Sequence, residues 1–269
     1  MMSKLSQDIF RVSQYLVHLL RARNTLGHGI HSPSIYEMVR MIIHDDNAYY
    51  CYEAIETERT RLLGDNSDIY INDLGTGHSR RCKVREVAKQ SLERKQVAQM
   101  LMRIVNHKKY KTILELGTCL GITTAYLASP DSGSEVTTME GSEELANKAK
   151  QLWKQLGINN IQLIRGNIDE TLPDYLDELR RESRSLDFCF IDANHSYEST
   201  MRYYRQVAAC CKSSSMVVID DIYHSPEMLK AWREICNENG VTATIDCYHC
   251  GIVMFDPQYE KKKYVLRYF

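Results

Sequence analysis

No apolar run in this chain approaches the roughly 20 residues that a membrane-spanning helix needs. The opening stretch, MMSKLSQDIFRVSQYLVHLL, lacks a signal-peptide core and an A-x-A-like cleavage site. Its apolar residues recur at helical spacing with Arg, Gln and His between them, so an amphipathic helix of a cytoplasmic protein is expected. Charge of one sign is also missing. With 34 Lys and Arg against 35 Asp and Glu, the formal net charge is −1, and the molecule as a whole has no strong pull toward nucleic acid or anionic membrane. There is no repeat of fixed period and no low-complexity segment. The nine cysteines are an odd number, scattered through expected helices and strands, which favours reduced thiols over a disulfide framework. The Cys247-x-x-Cys250 pair has neither a second pair nor a suitable histidine partner, and zinc is not expected there.

Within its 269 residues the chain has room for one large domain plus an extension. Residues 1–84 read as a mostly helical N-terminal extension, a candidate lid or dimerisation element. Helices are expected over 1–23, 33–44 (with Ser32 as N-cap and Pro33 at the first helical position) and 49–63. A long helix is expected over 84–106. The segment from Arg80 to Lys111 carries eleven Lys and Arg against Glu86 and Glu93; it suits a phosphate-bearing partner or, more simply, a solvated face. From residue 112 strands and helices alternate strictly. TILELG, EVTTMEG, IQLIRGN, SLDFCFIDA and SSMVVIDD are strands, each followed by a helix, and VTATIDCY and GIVMFD close the chain across a short turn. Such alternation implies an α/β domain over 85–269, with a mostly parallel sheet covered by helices on both faces. The final pair must be antiparallel.

Two stretches end a hydrophobic run in nearly the same words: YINDLGTGHSR at 70–80 and TILELGTCLGITTAYLA at 112–128. In open α/β sheets ligands bind beyond the carboxyl ends of the strands. After the second stretch the next strand ends in Met139-Glu140-Gly141, one strand–helix–strand step on, and an acid at that place can accept hydrogen bonds from both ribose hydroxyls. No second strand with a tip acid follows the first stretch. Asp73-Leu74-Gly75-Thr76-Gly77 therefore reads as a tight turn, at most part of a cover. The loop at 115–121 reads as the nucleoside loop, with Gly117 and Gly121 admitting close backbone approach and Glu115 suiting a cationic ligand group. The middle glycine of the dinucleotide pattern Gly-x-Gly-x-x-Gly is absent, which favours a ligand without pyrophosphate.

The ordered set ILELGTCLGITTAYLA, VTTMEG, GN, FIDANHSYE and VVIDD resembles the class I S-adenosylmethionine-dependent methyltransferases. It is most similar to bacterial small-molecule O-methyltransferases of the catechol and macrolide-sugar kind. The resemblance covers about 85–256 and leaves the first 80 or so residues unexplained, apart from an HSP loop that recurs in a bacterial subgroup. It implies a Rossmann-like sheet of seven strands, mostly parallel with an antiparallel last strand. It further implies that Gly117, Thr118 and Gly121 line the methionine part of S-adenosylmethionine, that Glu140 holds the ribose, and that Asn167 and Ile168 meet the adenine. Asn167 also reads as a turn residue. A homodimer is common among similar enzymes.

Asp192 ends the fourth strand and Asp220-Asp221 the fifth. Carboxylates gathered at neighbouring strand tips repel one another unless a cation or protons offset them. Mg²⁺, which takes a few carboxylates and keeps open positions for substrate oxygens, would suit them. In the resembling enzymes these three positions are the metal ligands, although the third is often Asn there. The simpler reading is that Asp192 orients the methionine amine and that Asp220 or Asp221 caps the next turn. His195, three residues beyond Asp192, has the place of a general base in the macrolide-sugar enzymes; otherwise it caps the helix starting at Ser196 or packs on Tyr197. His224 is a second candidate. These residues lead to an expectation of O-methylation of a small hydroxylated acceptor, with neither membrane nor nucleic acid as partner. The competing readings are a non-catalytic S-adenosylmethionine-binding protein, an RNA methyltransferase using the basic helix, and an NAD-dependent oxidoreductase.

Overall fold

The computed structural model describes residues 4–72, 74, 77, 79–259 and 261–268. In chain order the helices are α1 (Lys4–Arg21), α2 (Pro33–Glu37), α3 (Tyr50–Gly64), α4 (Val84–Ser91), α5 (Lys95–Lys108), α6 (Ile122–Ala128), α7 (Glu143–Gln155), α8 (Ile168–Arg181), α9 (Tyr197–Ala208) and α10 (Pro226–Ile235). The strands are β1 (Asp68–Ile71), β2 (Arg80–Lys83), β3 (Thr112–Leu116), β4 (Glu135–Glu140), β5 (Ile161–Arg165), β6 (Leu186–Ile191), β7 (Cys211–Asp220), β8 (Ala243–Asp246), β9 (Cys250–Met254) and β10 (Lys262–Val265). Two compact units emerge: residues 46–184, and residues 1–45 together with 185–269.

In the unit of residues 46–184, β3, β4 and β5 run parallel, with Thr112 opposite Glu135 and Val136 opposite Ile161. Their apolar runs Ile113, Leu114 and Val136, Met139 are fully or almost fully buried, as strands covered on both faces require. β1 and β2 form a separate antiparallel hairpin. The helix expected over 84–106 is broken into α4 and α5. Leu92 and Arg94 are extended, and Arg59 of α3 donates to the carbonyl of the buried Glu93 at 2.8 Å. That tertiary contact holds the break against good helix propensity. The basic segment is partly neutralised by its surroundings: Lys83 pairs with Asp68 at 2.8 Å and Lys111 with Asp131, while the buried Arg103 donates to the Tyr52 hydroxyl at 3.2 Å.

In the unit of residues 1–45 and 185–269, β6 and β7 are parallel, β9 lies antiparallel to both β7 and β8, and β10 runs parallel to β8. The seven expected strands are all present, the antiparallel one being β9. β10 is an eighth, in a Lys-rich segment whose pattern gives no strand signal. The helical stretch after Ser32 is α2 followed by a widened π turn over Met38–Ile43, whose Ile42 and Ile43 are buried. Ser225 caps α10 by accepting from the amide of Met228 at 3.1 Å, with Pro226 in the first turn. α1 is inverted: Leu5, Ile9, Val12, Leu16 and Leu20 are exposed, whereas His18 is buried. His18 meets the carbonyl of Leu266 at 2.9 Å and Asp246 Oδ1 at 3.2 Å. No described helix is long and apolar enough to cross a membrane.

Candidate functional site

The nucleoside loop follows β3. The amides of Gly117 and Thr118 both donate to the carbonyl of Met139, at 3.2 and 3.1 Å, which ties the loop to β4 one residue before Glu140. Glu140 itself is fixed at the strand tip: Oε2 accepts from the Cys119 amide at 2.9 Å and Oε1 from the Ser142 amide at 2.8 Å. These two bonds orient the carboxylate at the strand tip. Gly117 and Cys119 adopt positive φ, 100° and 49°, and they fold the backbone into the turn that brings the Cys119 amide to Glu140.

Two residues of this loop are engaged by neighbours within the protein. Gly121 has φ +81°, and a Cβ there would stand 2.8 Å from Ala149 Cβ and from Trp153 Nε1. Trp153 also donates to the Gly121 carbonyl at 2.8 Å. Its missing side chain serves the packing of α6 on α7. Glu115 is fully buried, and its Oε2 accepts from Thr124 at 2.5 Å and Thr138 at 2.6 Å. Thr138 in turn shares a 2.6 Å bond with Thr118, so Glu115 braces the loop from beneath. Asn167 caps α8, its side chain accepting from the Asp169 amide at 3.0 Å, and Ile168 beside it is half-buried. Asp73, Gly75 and Thr76 of the first Leu-Gly-Thr stretch lie outside the described residues. Leu74 is described, and its side chain lies over Gly141, where a Cβ would come within 3.3 Å of it.

The carboxylates belong to the other unit. Asp192, His195 and Asp220 form a group whose ligand-type atoms lie within 4.8 Å of one another. Asp220 is buried, Asp192 and His195 are half-buried, and His195 Nε2 is 3.4 Å from Asp192 Oδ1. Two acids and an imidazole with one well-buried member are a donor set that fits a hard divalent cation. Asp221 stands apart from that group. It adopts a left-handed φ of 49°, and its Oδ2 lies 3.1 Å from His224 Nδ1. Burial would raise its carboxyl, but the hydrogen bond from His224 and the neighbouring His195, His224 and Arg11 outweigh burial and hold it below the usual carboxylate range. Ser196, not His195, caps α9 with its side chain, which accepts from Ser199 at 3.3 Å. The His195 ring instead stacks on His224, with centroids 5.2 Å apart and planes at 23°. Arg11 of α1 reaches His224 as well, a contact 213 residues away in sequence that no local pattern announces.

Residues 114–222 match a family model described as a methyltransferase domain. A comparison of the sequence with curated proteins finds no match. Among solved structures the chain is similar to the O-methyltransferase from Bacillus cereus in complex with SAH, at 17% identity and a TM-score of 0.55, over 82% of this chain and 97% of that one. It is also similar to the methyltransferase PaMTH1 from Podospora anserina bound to SAH, at 12% identity and a TM-score of 0.54, over 79% and 99%. A third likeness is to the O-methyltransferase TomG from Streptomyces achromogenes, in complex with SAM and involved in tomaymycin synthesis: 15% identity, TM-score 0.52, 61% and 82%. The family match over residues 114–222 is to a methyltransferase domain, and the likenesses to these solved structures show that the chain shares their fold.

Proposed function

We propose that the protein is an O-methyltransferase acting on a small hydroxylated molecule, with a divalent cation assisting. The observation that carries this reading is the grouping of Asp192, His195 and Asp220. When bound, S-adenosylmethionine supplies a methyl group already activated on a sulfonium. The protein's part is to align the acceptor oxygen for in-line displacement and to make that oxygen nucleophilic. Glu140 would accept from the ribose hydroxyls, and Gly117 and Thr118 would present the loop backbone to the methionine part. Gly121 and Glu115 support that loop through packing and buried hydrogen bonds. Asn167 and Ile168 would bound the adenine.

Asp192 and Asp220 would hold the cation, which would supply Lewis acidity toward an acceptor hydroxyl. Asp221, expected as a third ligand, is instead held through Oδ2 by His224 Nδ1 at 3.1 Å. His195 accepts the acceptor's proton as the oxygen takes the methyl, leaving an imidazolium, a neutral thioether and the methyl ether. Calorimetric titration with S-adenosylmethionine and SAH, with and without Mg²⁺, is the first test, followed by a screen of catechols, sugars and hydroxy acids. Binding of SAH and turnover of one acceptor class are expected. Indifference to SAH with uptake of NAD would sink the reading. His195→Ala is expected to keep Mn²⁺ and SAH binding and to lower turnover by about 10²–10⁴-fold, the usual worth of a general base. Loss of Mn²⁺ binding in that variant would make His195 a ligand instead.

A further inference from the structure

We propose that Arg11 of the N-terminal helix is a positioning residue for His195: it clamps His224, and the stacked His224 ring in turn fixes the His195 imidazole. Arg11 donates from Nε to the His224 carbonyl at 3.1 Å, and its Nη2 lies against the His224 ring, 2.7 Å from Nδ1 and 3.2 Å from Nε2, a close contact that is not a bond to Nδ1 while Nδ1 donates to Asp221. Gln7, one turn earlier, donates to the same carbonyl at 3.2 Å. A guanidinium is a rigid fork that can hold a backbone oxygen and a ring together; an ammonium is a point donor that cannot. His224 is thus pinned through both its main chain and its ring, with Asp221 on the same ring nitrogen at 3.1 Å. His195 lies against this fixed ring, 5.2 Å between centroids, and 3.4 Å from Asp192.

The helix that carries Arg11 is built for this direction of contact. Gln7, Arg11 and His18 recur at four and seven residues, so they share one face, and it is this polar face that turns inward while the apolar stripe is left exposed. A helix recruited only to cover a core would bury the other side. Its hold does not depend on Arg11 alone: His18 bonds to the Leu266 carbonyl, and the Tyr248 hydroxyl donates to the Arg11 carbonyl at 2.7 Å. The segment that the methyltransferase motifs leave unexplained is therefore part of the wall around the proton acceptor.

The proposal rests on the reading of His195 as that acceptor, and its test is independent of any acceptor substrate. In the full-length protein, imidazole ¹⁵N–¹H spectra would be recorded for the wild type, Arg11→Ala and Arg11→Lys, with His195, His224 and His18 assigned by single substitution. The expected result is displaced or doubled His195 and His224 signals in both variants, an unmoved His18 signal, and SAH affinity within about twofold of the wild type. Unmoved His195 signals would overturn the proposal. So would wild-type signals in Arg11→Lys, because charge alone would then suffice, and so would movement of His18 with the others, because Arg11 would then be a helix anchor. Once an acceptor is known, kcat is expected to fall about 10–100-fold in both variants with KM for S-adenosylmethionine unchanged, the usual effect of removing an outer supporting partner. If the function reading is what fails, the wild type itself shows it, by binding no SAH or by keeping its turnover in His195→Ala; the spectra still decide the clamp.

Discussion

Gly117 and Gly121 look equivalent in the sequence, two glycines four apart in a strand-end loop, yet only three-dimensional neighbours tell their tasks apart. The left-handed backbone of Gly121 and the 2.8 Å approach to Ala149 and Trp153 leave no room for a methyl group. Gly121→Ala is expected to destabilise the protein by about 2–5 kcal/mol, from left-handed strain and overpacking together. Urea unfolding measures this, and SAH affinity in the residual folded protein should stay within a few-fold; a large loss of affinity without loss of stability would return Gly121 to the ligand. Glu140 is the opposite case. Its carboxylate is oriented by two backbone amides, and bonds to a charged group contribute about 1.5–3 kcal/mol each. Glu140→Ala should therefore weaken SAH binding by at least about 10–100-fold in calorimetry. The place of Glu140 at the tip of β4 was legible because local periodicity sets it one strand–helix–strand step after the loop. The bracing role of Glu115 was not, because Thr124 and Thr138 come to it from a helix and a strand.

At the scale of elements, the boundary between α3 and the β1–β2 hairpin is closed by one acid. Asp65 follows the last residue of α3, accepts from the Ser67 amide at 2.8 Å, and pairs with Lys148 of α7 at 3.0 Å. The hydrogen bond to Ser67, and then Lys148, lower its pKa from 3.8 to about 2. A carboxyl depressed on folding contributes stability that is present above its unfolded value and is lost as pH falls through the folded one. Asp65 thus adds to acid sensitivity between about pH 4 and pH 2. In Asp65→Asn, which keeps a side-chain acceptor but no charge, the fall in unfolding free energy across that window is expected to be shallower than in the wild type. Parallel slopes in urea titrations at a series of pH values would count against the pairing. The same scale explains one place where a helix pattern misled and one where it foretold the helix but not the face it buries. The apolar period over 84–106 continues through Leu92, but the Arg59 bond to Glu93 interrupts it. The amphipathic period of α1 correctly foretold a helix, and its exposed apolar stripe shows that the face turned inward is the one carrying Gln7, Arg11 and His18.

For the molecule as a whole, the strands after residue 112 were legible because each is a short apolar run bounded by turn residues, and the tips of those runs carry the chemistry. What escaped the sequence are the partners that meet from the two ends of the chain: Arg11 with His224, 213 residues apart, and His18 with Leu266, 248 apart. Periodicity is local, and it cannot report a helix docking on a strand end so far along the chain. The units also set how ligand binding should divide. Glu140 and the loop after β3 belong to residues 46–184, and Asp192, His195 and Asp220 to the unit completed by residues 1–45. Removing the charge of Asp220 should therefore weaken Mn²⁺ binding without touching SAH, while Glu140→Ala should do the reverse. Asp192 discriminates between its two expected roles. If it both holds the cation and orients the methionine amine, Asp192→Asn weakens both ligands in separate titrations. If it serves the cation alone, SAH binding is that of the wild type and only the Mn²⁺ isotherm flattens. The first outcome is expected, because Asp192 is a candidate for the cation by the resemblance and for the methionine amine by the simpler reading, and its half-buried carboxylate has two oxygens to divide between them.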